Sequence, residues 1–224
     1  MNHRWGGMPR SLRTHIVFGA RARMVSMDGR GFAPGVRLCL LAALAMSLTL
    51  ARDVGASVSV AVSWDGLLGA SIAAAFVTPV ESTSVWEDGR IVTYTRVHVD
   101  RSVAGALPSG DDPWLRTLGG VVGHVGQRVE GEAVLSFGYQ ALVFLGAGKA
   151  GTFYVTARAQ GQFPIVTTPT SGPHVVRAGA VGLLLKPAAP MNTTVRLAAD
   201  VLHGRAVDDA VQDIAADWER THAR

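Results

Sequence analysis

The clearest pattern along the chain has a period of two. Between Ile91 and Arg101, the residues Ile91, Thr93, Thr95, Val97 and Val99 fall on one side of an extended strand. Val92, Tyr94, Arg96, His98 and Asp100 fall on the other, as expected of a strand with one face in a core. Upstream, Ile72–Val80 is an apolar run of strand length, with Pro79 suited to an edge or bulge because it donates no ladder hydrogen bond. Between the two, Glu87-Asp88-Gly89 predicts a hairpin turn, since Asp-Gly supplies the left-handed backbone such turns need. Gly105–Pro113 reads as a polar loop, and Trp114–Leu118 as a third strand closed by Gly119-Gly120. Val121–Val129 alternates valine and glycine in a way no helix favours, predicting a bulged or sharply coiled strand or loop. Tyr139–Leu145 and Thr152–Arg158 predict a hairpin across Gly146, Gly148 and Gly151. Gln162–Val166 and Gly182–Leu185 read as short late strands separated by a Thr-, Pro- and Gly-rich loop over 167–174.

A helical period occurs near both ends of this region. Trp64–Ile72 reads as a short helix or turn entering the domain. From about Ala206 to Arg220, the positions Ala206, Ala210, Val211, Ile214 and Trp218 are interleaved with Asp208, Asp209, Asp213 and Asp217, predicting an amphipathic helix docked by one face. The expected fold is mainly β, an OB-like or netrin-like small β-barrel or a coiled antiparallel sheet, with a C-terminal α-helix. Residues 57–190 are expected to form the barrel-like domain and 191–224 a C-terminal helical extension.

Before residue 57 the pattern changes. Leu38–Leu50 is thirteen residues without charge, preceded by Arg30 and Arg37 and followed by Val54-Gly55-Ala56. That order is the one found in secretory signals, with cleavage expected after Ala56. The run is shorter than the ~20 residues a helix needs to span a bilayer, so a retained anchor is the rival reading. Residues 1–23 precede Met24 and Met27, either of which begins a signal of ordinary length, and are expected to be an upstream extension from start-site choice. Cys39, the one cysteine, opens the apolar run instead of following it, so lipidation is excluded and the processed chain has no thiol for disulfides or metal. The expected location is exported: periplasmic, envelope-associated or extracellular.

The net charge of +4 is concentrated in this leader. Residues 1–56 carry eight of the 21 Lys and Arg but two of the 17 Asp and Glu, leaving 13 basic against 15 acidic residues beyond. A slightly acidic folded part gives no electrostatic footprint for nucleic acid.

Several segments carry a resemblance. Ile91-Val-Thr-Tyr-Thr-Arg-Val-His-Val, Arg116-Thr-Leu-Gly-Gly-Val-Val-Gly, Gly126-Gln-Arg-Val-Glu-Gly-Glu-Ala133 and Ala141-Leu-Val-Phe-Leu145 look like a family of uncharacterised exported bacterial proteins. The order of elements is also similar to the netrin-like barrels of tissue inhibitors of metalloproteinases, which implies an OB-like closed barrel over about residues 62–166. Those inhibitors present an N-terminal cysteine to the protease metal and staple the barrel with disulfides. Neither is available here, so the resemblance implies the barrel and not the inhibition.

Candidate chemistry is sparse. His98 and Asp100 share a strand face and supply two potential ligands or contact groups. Exposed pairs of this spacing are mostly solvated. His124 lies among Gly119, Gly120, Gly123 and Gly126, which either let a ligand approach the backbone or simply shape a bulge. Trp86 beside the hairpin turn is a candidate binding anchor. Glu130 and Glu132 flank Gly131 and read as a solvated acidic patch. No metalloprotease His-Glu-x-x-His, phosphate loop, dinucleotide fingerprint or nucleophile elbow occurs. No catalytic set, metal or cofactor is therefore expected. The leading expectation is a non-enzymatic exported binding domain whose partner is another exported protein. The alternatives are a histidine-centred metal-dependent enzyme or accessory, and an envelope structural protein that meets the membrane only through an uncleaved leader.

Overall fold

A computed structural model describes residues 58–107, 112–187 and 194–223. The expectations for the leader and its processing lie outside the described residues. In chain order the elements are β1 (Val58–Val60), α1 (Trp64–Gly69), β2 (Ala73–Glu87), β3 (Arg90–Gly105), β4 (Trp114–Leu118), β5 (Gly120–Val122) and β6 (Val125–Gln127). There follow β7 (Ala141–Ala147), β8 (Phe153–Val155), β9 (Gln162–Thr168), β10 (Gly172–Val175), β11 (Leu183–Leu185), α2 (Ala198–Leu202) and α3 (Val207–His222). Among the described residues no helix is long and apolar enough to cross a membrane.

Five strands close a barrel. β2 and β3 form a long hairpin through Asp88 and Gly89, whose φ angles of 51° and 75° are those of the Asp-Gly turn. β4 pairs antiparallel with β3, and β7 with the first part of β2. β8 pairs antiparallel with β7 and meets β4 in parallel at Leu115 and Phe153, so the ring runs β2-β3-β4-β8-β7. Four antiparallel pairings, with one parallel contact across the closing seam, make an OB-like barrel. β2 runs on from the apolar segment to Glu87, with Val80 bulged out of the pairing between Pro79 and Glu81. The segment expected as a loop over 167–174 instead builds the β9–β10 hairpin, outside β7 in the same sheet. Its Gly172-Pro173 start sits on the sheet's outermost strand, where a missing N–H removes no ladder bond. β11 pairs in parallel with β1.

Two cores lie on opposite faces of the same strands. Inside the barrel, Ala75, Val77, Val97, Leu115, Ala141, Val143, Leu145 and Phe153 pack together. Outside it, Ala74 and Phe76 of β2, Leu142 and Phe144 of β7, and Phe163 of β9 meet Trp64, Leu67 and Leu68 of α1, Leu202 of α2, and Ala210, Ile214 and Trp218 of α3. Ala141–Leu145 is thus buried on both faces, which is why it reads as one continuous apolar run. Asp217, expected on the polar side of α3, is also buried. It accepts the Trp64 indole N–H at 2.5 Å and faces Arg196 and Arg220, tying the first helix to the last.

Glutamine side chains pair with backbone where strands run out. Gln162, only 4% exposed, donates to Val134 O at 2.6 Å and accepts from Val134 N–H at 2.9 Å. Gln160 does the same for the entering chain, with Val60 O at 3.0 Å and Val62 N–H at 2.7 Å. Gln127 accepts the Ile91 N–H at 2.7 Å. Each amide offers a donor and an acceptor side by side, which is what a neighbouring strand would offer.

Candidate functional site

Along the inner face of the barrel the chemistry switches. On β3 the inward positions run from Val97 to Thr95 and Thr93, on β4 from Leu115 to Thr117, and on β2 from Val77 to Ser82 and Ser84. The aliphatic end is packed solid. The hydroxyl end opens into a cavity of about 450 Å³, within the ~300–1,000 Å³ range of small-molecule sites. Ser82, Thr93, Thr95 and Thr117 line its strand side, and the segment from Leu118 to Leu135 forms its roof.

The roof is held close by glycine. At Gly120, φ is 132°, and a side-chain carbon would stand 2.2 Å from Thr93 Oγ1 and 2.4 Å from Ser84 Oγ. Only a residue without Cβ lets the chain cross here. Thr93 Oγ1 lies 2.8 Å from Ser84 Oγ and donates to Gly119 O at 2.6 Å, which fixes the crossing to the sheet.

Glu132 is the one buried carboxyl in the cavity wall, 7% exposed. Burial pushes its pKa up, while the N–H groups of Ala133 and Leu118 and the charge of Arg158 pull in the opposite direction. Arg158 Nε stands 3.8 Å from Oε2, and its own side chain is mostly in solvent. The two glutamates flanking Gly131 therefore part company: Glu130 is exposed and pairs with Arg128, and Glu132 turns inward. Gly131, at φ 72°, turns the chain between them. The expectation of a solvated acidic patch fails because the roof segment folds over the barrel end and carries Glu132 with it.

A second concavity, about 760 Å³, lies outside the barrel beside the tip of the β2–β3 hairpin. Its charged groups are committed to each other. Arg116 donates to both oxygens of Glu87 at 3.2 and 3.3 Å, and Tyr94 Oη donates to the same carboxylate at 2.9 Å. Those hydrogen bonds, led by Arg116, hold the Glu87 pKa below the ordinary range. This cluster clamps the hairpin tip to β4.

The residues singled out from the sequence are dispersed. His98 is exposed, its Nδ1 3.1 Å from Asp112 Oδ1. Asp100 accepts from Thr78 Oγ1 at 2.7 Å and from Gln140 Nε2 at 3.0 Å, a bridge across β3, β2 and the start of β7. His124 stands exposed in the two-residue turn between β5 and β6, beside Gly123 at φ 60°. Trp86 is 54% exposed on the strand face shared with Ser82 and Ser84. None of the four lines the cavity. Among the described residues no group of three His, Cys, Asp or Glu side chains is gathered to hold a metal. Of the residues that do line it, Thr93, Thr95 and Thr117 had one signal in the sequence, hydroxyls at inward positions of an otherwise aliphatic period, and Glu132 had none. Comparison with protein-family models, with characterised proteins and with solved structures gives no match for this chain.

Proposed function

We propose that this is a non-enzymatic binding domain of the cell exterior, whose barrel mouth takes a small uncharged ligand rich in hydroxyl or amide groups. The observation that carries the reading is the switch from aliphatic to hydroxyl side chains along one inner strand face, under a roof that adds a single buried carboxyl. Threonine and serine hydroxyls both donate and accept, and suit a ligand that does the same. The buried carboxyl of Glu132 adds one further polar group at the roof side of the same cavity. Closed and partly closed barrels of this kind use their mouths to bind. The secretory order of the leader supports the exterior location.

The test is a thermal-shift screen of the full chain against neutral sugars, polyols and short peptide amides, repeated on Thr95→Val. A ligand at 100 times its Kd adds about 2.7 kcal/mol of stability. The expected result is a stabilising ligand whose effect Thr95→Val removes. Equal shifts in both proteins, or none with any compound, would overturn the reading.

A further inference from the structure

β7 fills the lane beside β2 only from Ala73 to Val77, where Ala141 is its first paired residue. From Val80 to Glu87 no described strand occupies the same lane, and among the described residues β2 pairs there on one side alone, with β3. The direction of its main-chain groups follows from β3. The Ile91 N–H donates to Gln127 and the Ile91 carbonyl accepts from Gly119 N–H at 2.8 Å, while Val97 N–H donates to Pro113 O at 3.0 Å. Odd-numbered residues of this part of β3 thus turn their N–H and C=O toward β4, and even-numbered ones toward β2. Val85, Thr83 and Glu81 answer Val92, Tyr94 and Arg96. Ser82, Ser84 and Trp86 therefore turn their own N–H and C=O groups into that lane, where nothing among the described residues pairs with them.

We propose that this edge is a binding site for an extended segment of another protein, added antiparallel to β2 in line with β7. A row of outward donors and acceptors at strand spacing is complementary to one thing, another extended backbone. Exposed apolar side chains stand along this part of β2: Trp86 at the hairpin tip, 54% exposed, with Val85 and Val80 on the same strand. They supply the apolar anchors that such a strand needs. A second copy of this chain does not fit. Two β2 edges paired antiparallel about Ser84 would set Glu81 of each against Glu87 of the other, a destabilising like-charge pair. Sliding toward Pro79 brings the bulged Val80 into the lane, and sliding toward the hairpin tip runs the ladder off the end of β2 at Glu87. The segment that fits is rich in β-branched and aromatic residues and lacks acidic side chains beside Glu81 and Glu87.

The experiment pans a phage-displayed library of random 12-residue peptides on the immobilised full chain, then measures the recovered peptides by fluorescence anisotropy. Ser84→Pro removes one outward N–H and places a ring in the lane, while Ser84→Ala keeps the N–H. Expected are basic-to-neutral peptides of β-forming composition that bind Ser84→Ala within about 3-fold of wild type and Ser84→Pro at least ~10-fold more weakly, the size of one to two lost hydrogen bonds. Methylating alternate backbone nitrogens of the peptide, with the protein unchanged, weakens binding to the same extent in one of the two alternating patterns and not in the other. The proposal is overturned if no peptide is recovered or if both methylation patterns bind alike. Concentration-dependent dimers abolished by Ser84→Pro would overturn it in favour of a second copy.

Discussion

The two faces of β2 and β7 solve opposite problems. The outer face carries Phe76, Leu142 and Phe144, and packs against three helices and β9 with Trp64 and Phe163 edge-on to Phe144 at 5.9 and 6.1 Å. The inner face carries smaller residues, Ala75, Val77, Ala141 and Val143, and gives way to hydroxyls toward one end. Apolar stabilisation grows with the area removed from water, so the large aromatic layer outside the barrel holds the fold. The interior is thereby released from being packed throughout, and a polar cavity persists in it. The comparison teaches that the barrel's strength and its candidate site are separated by the thickness of one sheet.

Breaking the outer layer should cost most. Phe144→Ala is expected to destabilise the protein by about 3–5 kcal/mol, because it empties the centre of the aromatic cluster. Urea unfolding checks it, and a loss no larger than that of Val143→Ala on the inner face would reverse the assignment. Next comes Asp217→Ala, which strands the buried Trp64 indole N–H and leaves Arg196 and Arg220 without their shared partner. The expected loss is about 1–3 kcal/mol. Trp64→Phe in the same background should recover part of it, and strictly additive losses from the two changes would show that the hydrogen bond contributes nothing.

The smallest effects sharpen the contrast through pH. Glu132, with its pKa raised by burial, is protonated in both states at low pH. As pH rises through the ordinary carboxylate range the unfolded chain loses that proton first, so folding weakens until the raised value is passed. Glu87, with its pKa lowered by Arg116 and Tyr94, contributes stability at neutral pH that is lost as pH falls through its lowered value. Glu132→Gln should therefore be more stable than the parent at neutral pH, with the difference vanishing in acid. Glu87→Gln should be less stable at neutral pH, with its deficit shrinking in acid. Urea midpoints across a pH series decide, and two parallel profiles would contradict the opposite placements of these carboxyls.

Much of the architecture was legible in the pattern of residues. The alternation from Ile91 onward, the Asp-Gly turn, the strand at Trp114–Leu118 and the apolar Ala141–Leu145 run each state their own local structure, and the helical spacing of Ala210, Ile214 and Trp218 names the face that docks. The β9–β10 hairpin was hidden because its Thr-, Pro- and Gly-rich composition is that of a loop, and only pairing at the sheet's outer edge makes it a strand. The site was legible least. His98, Asp100, His124 and Trp86 attract notice by type, yet each lies in solvent or in a local hydrogen bond. Thr95 shows only as a hydroxyl in an aliphatic period and Glu132 as one more charged residue beside a glycine, yet both line one cavity.

The sequence alone determined the strand at Ile91 onward and the apolar Ala141–Leu145 strand, the turn between β2 and β3, the docking face of α3 and the concentration of positive charge in residues 1–56, because each depends on neighbours a few positions away. The tertiary structure alone decided which of the two glutamates flanking Gly131 is buried, that Asp217 joins the core, and that no described strand pairs with β2 beyond Val77 on its β7 side. Those outcomes depend on segments that meet only after the barrel closes, and no local period encodes what a residue will face across it.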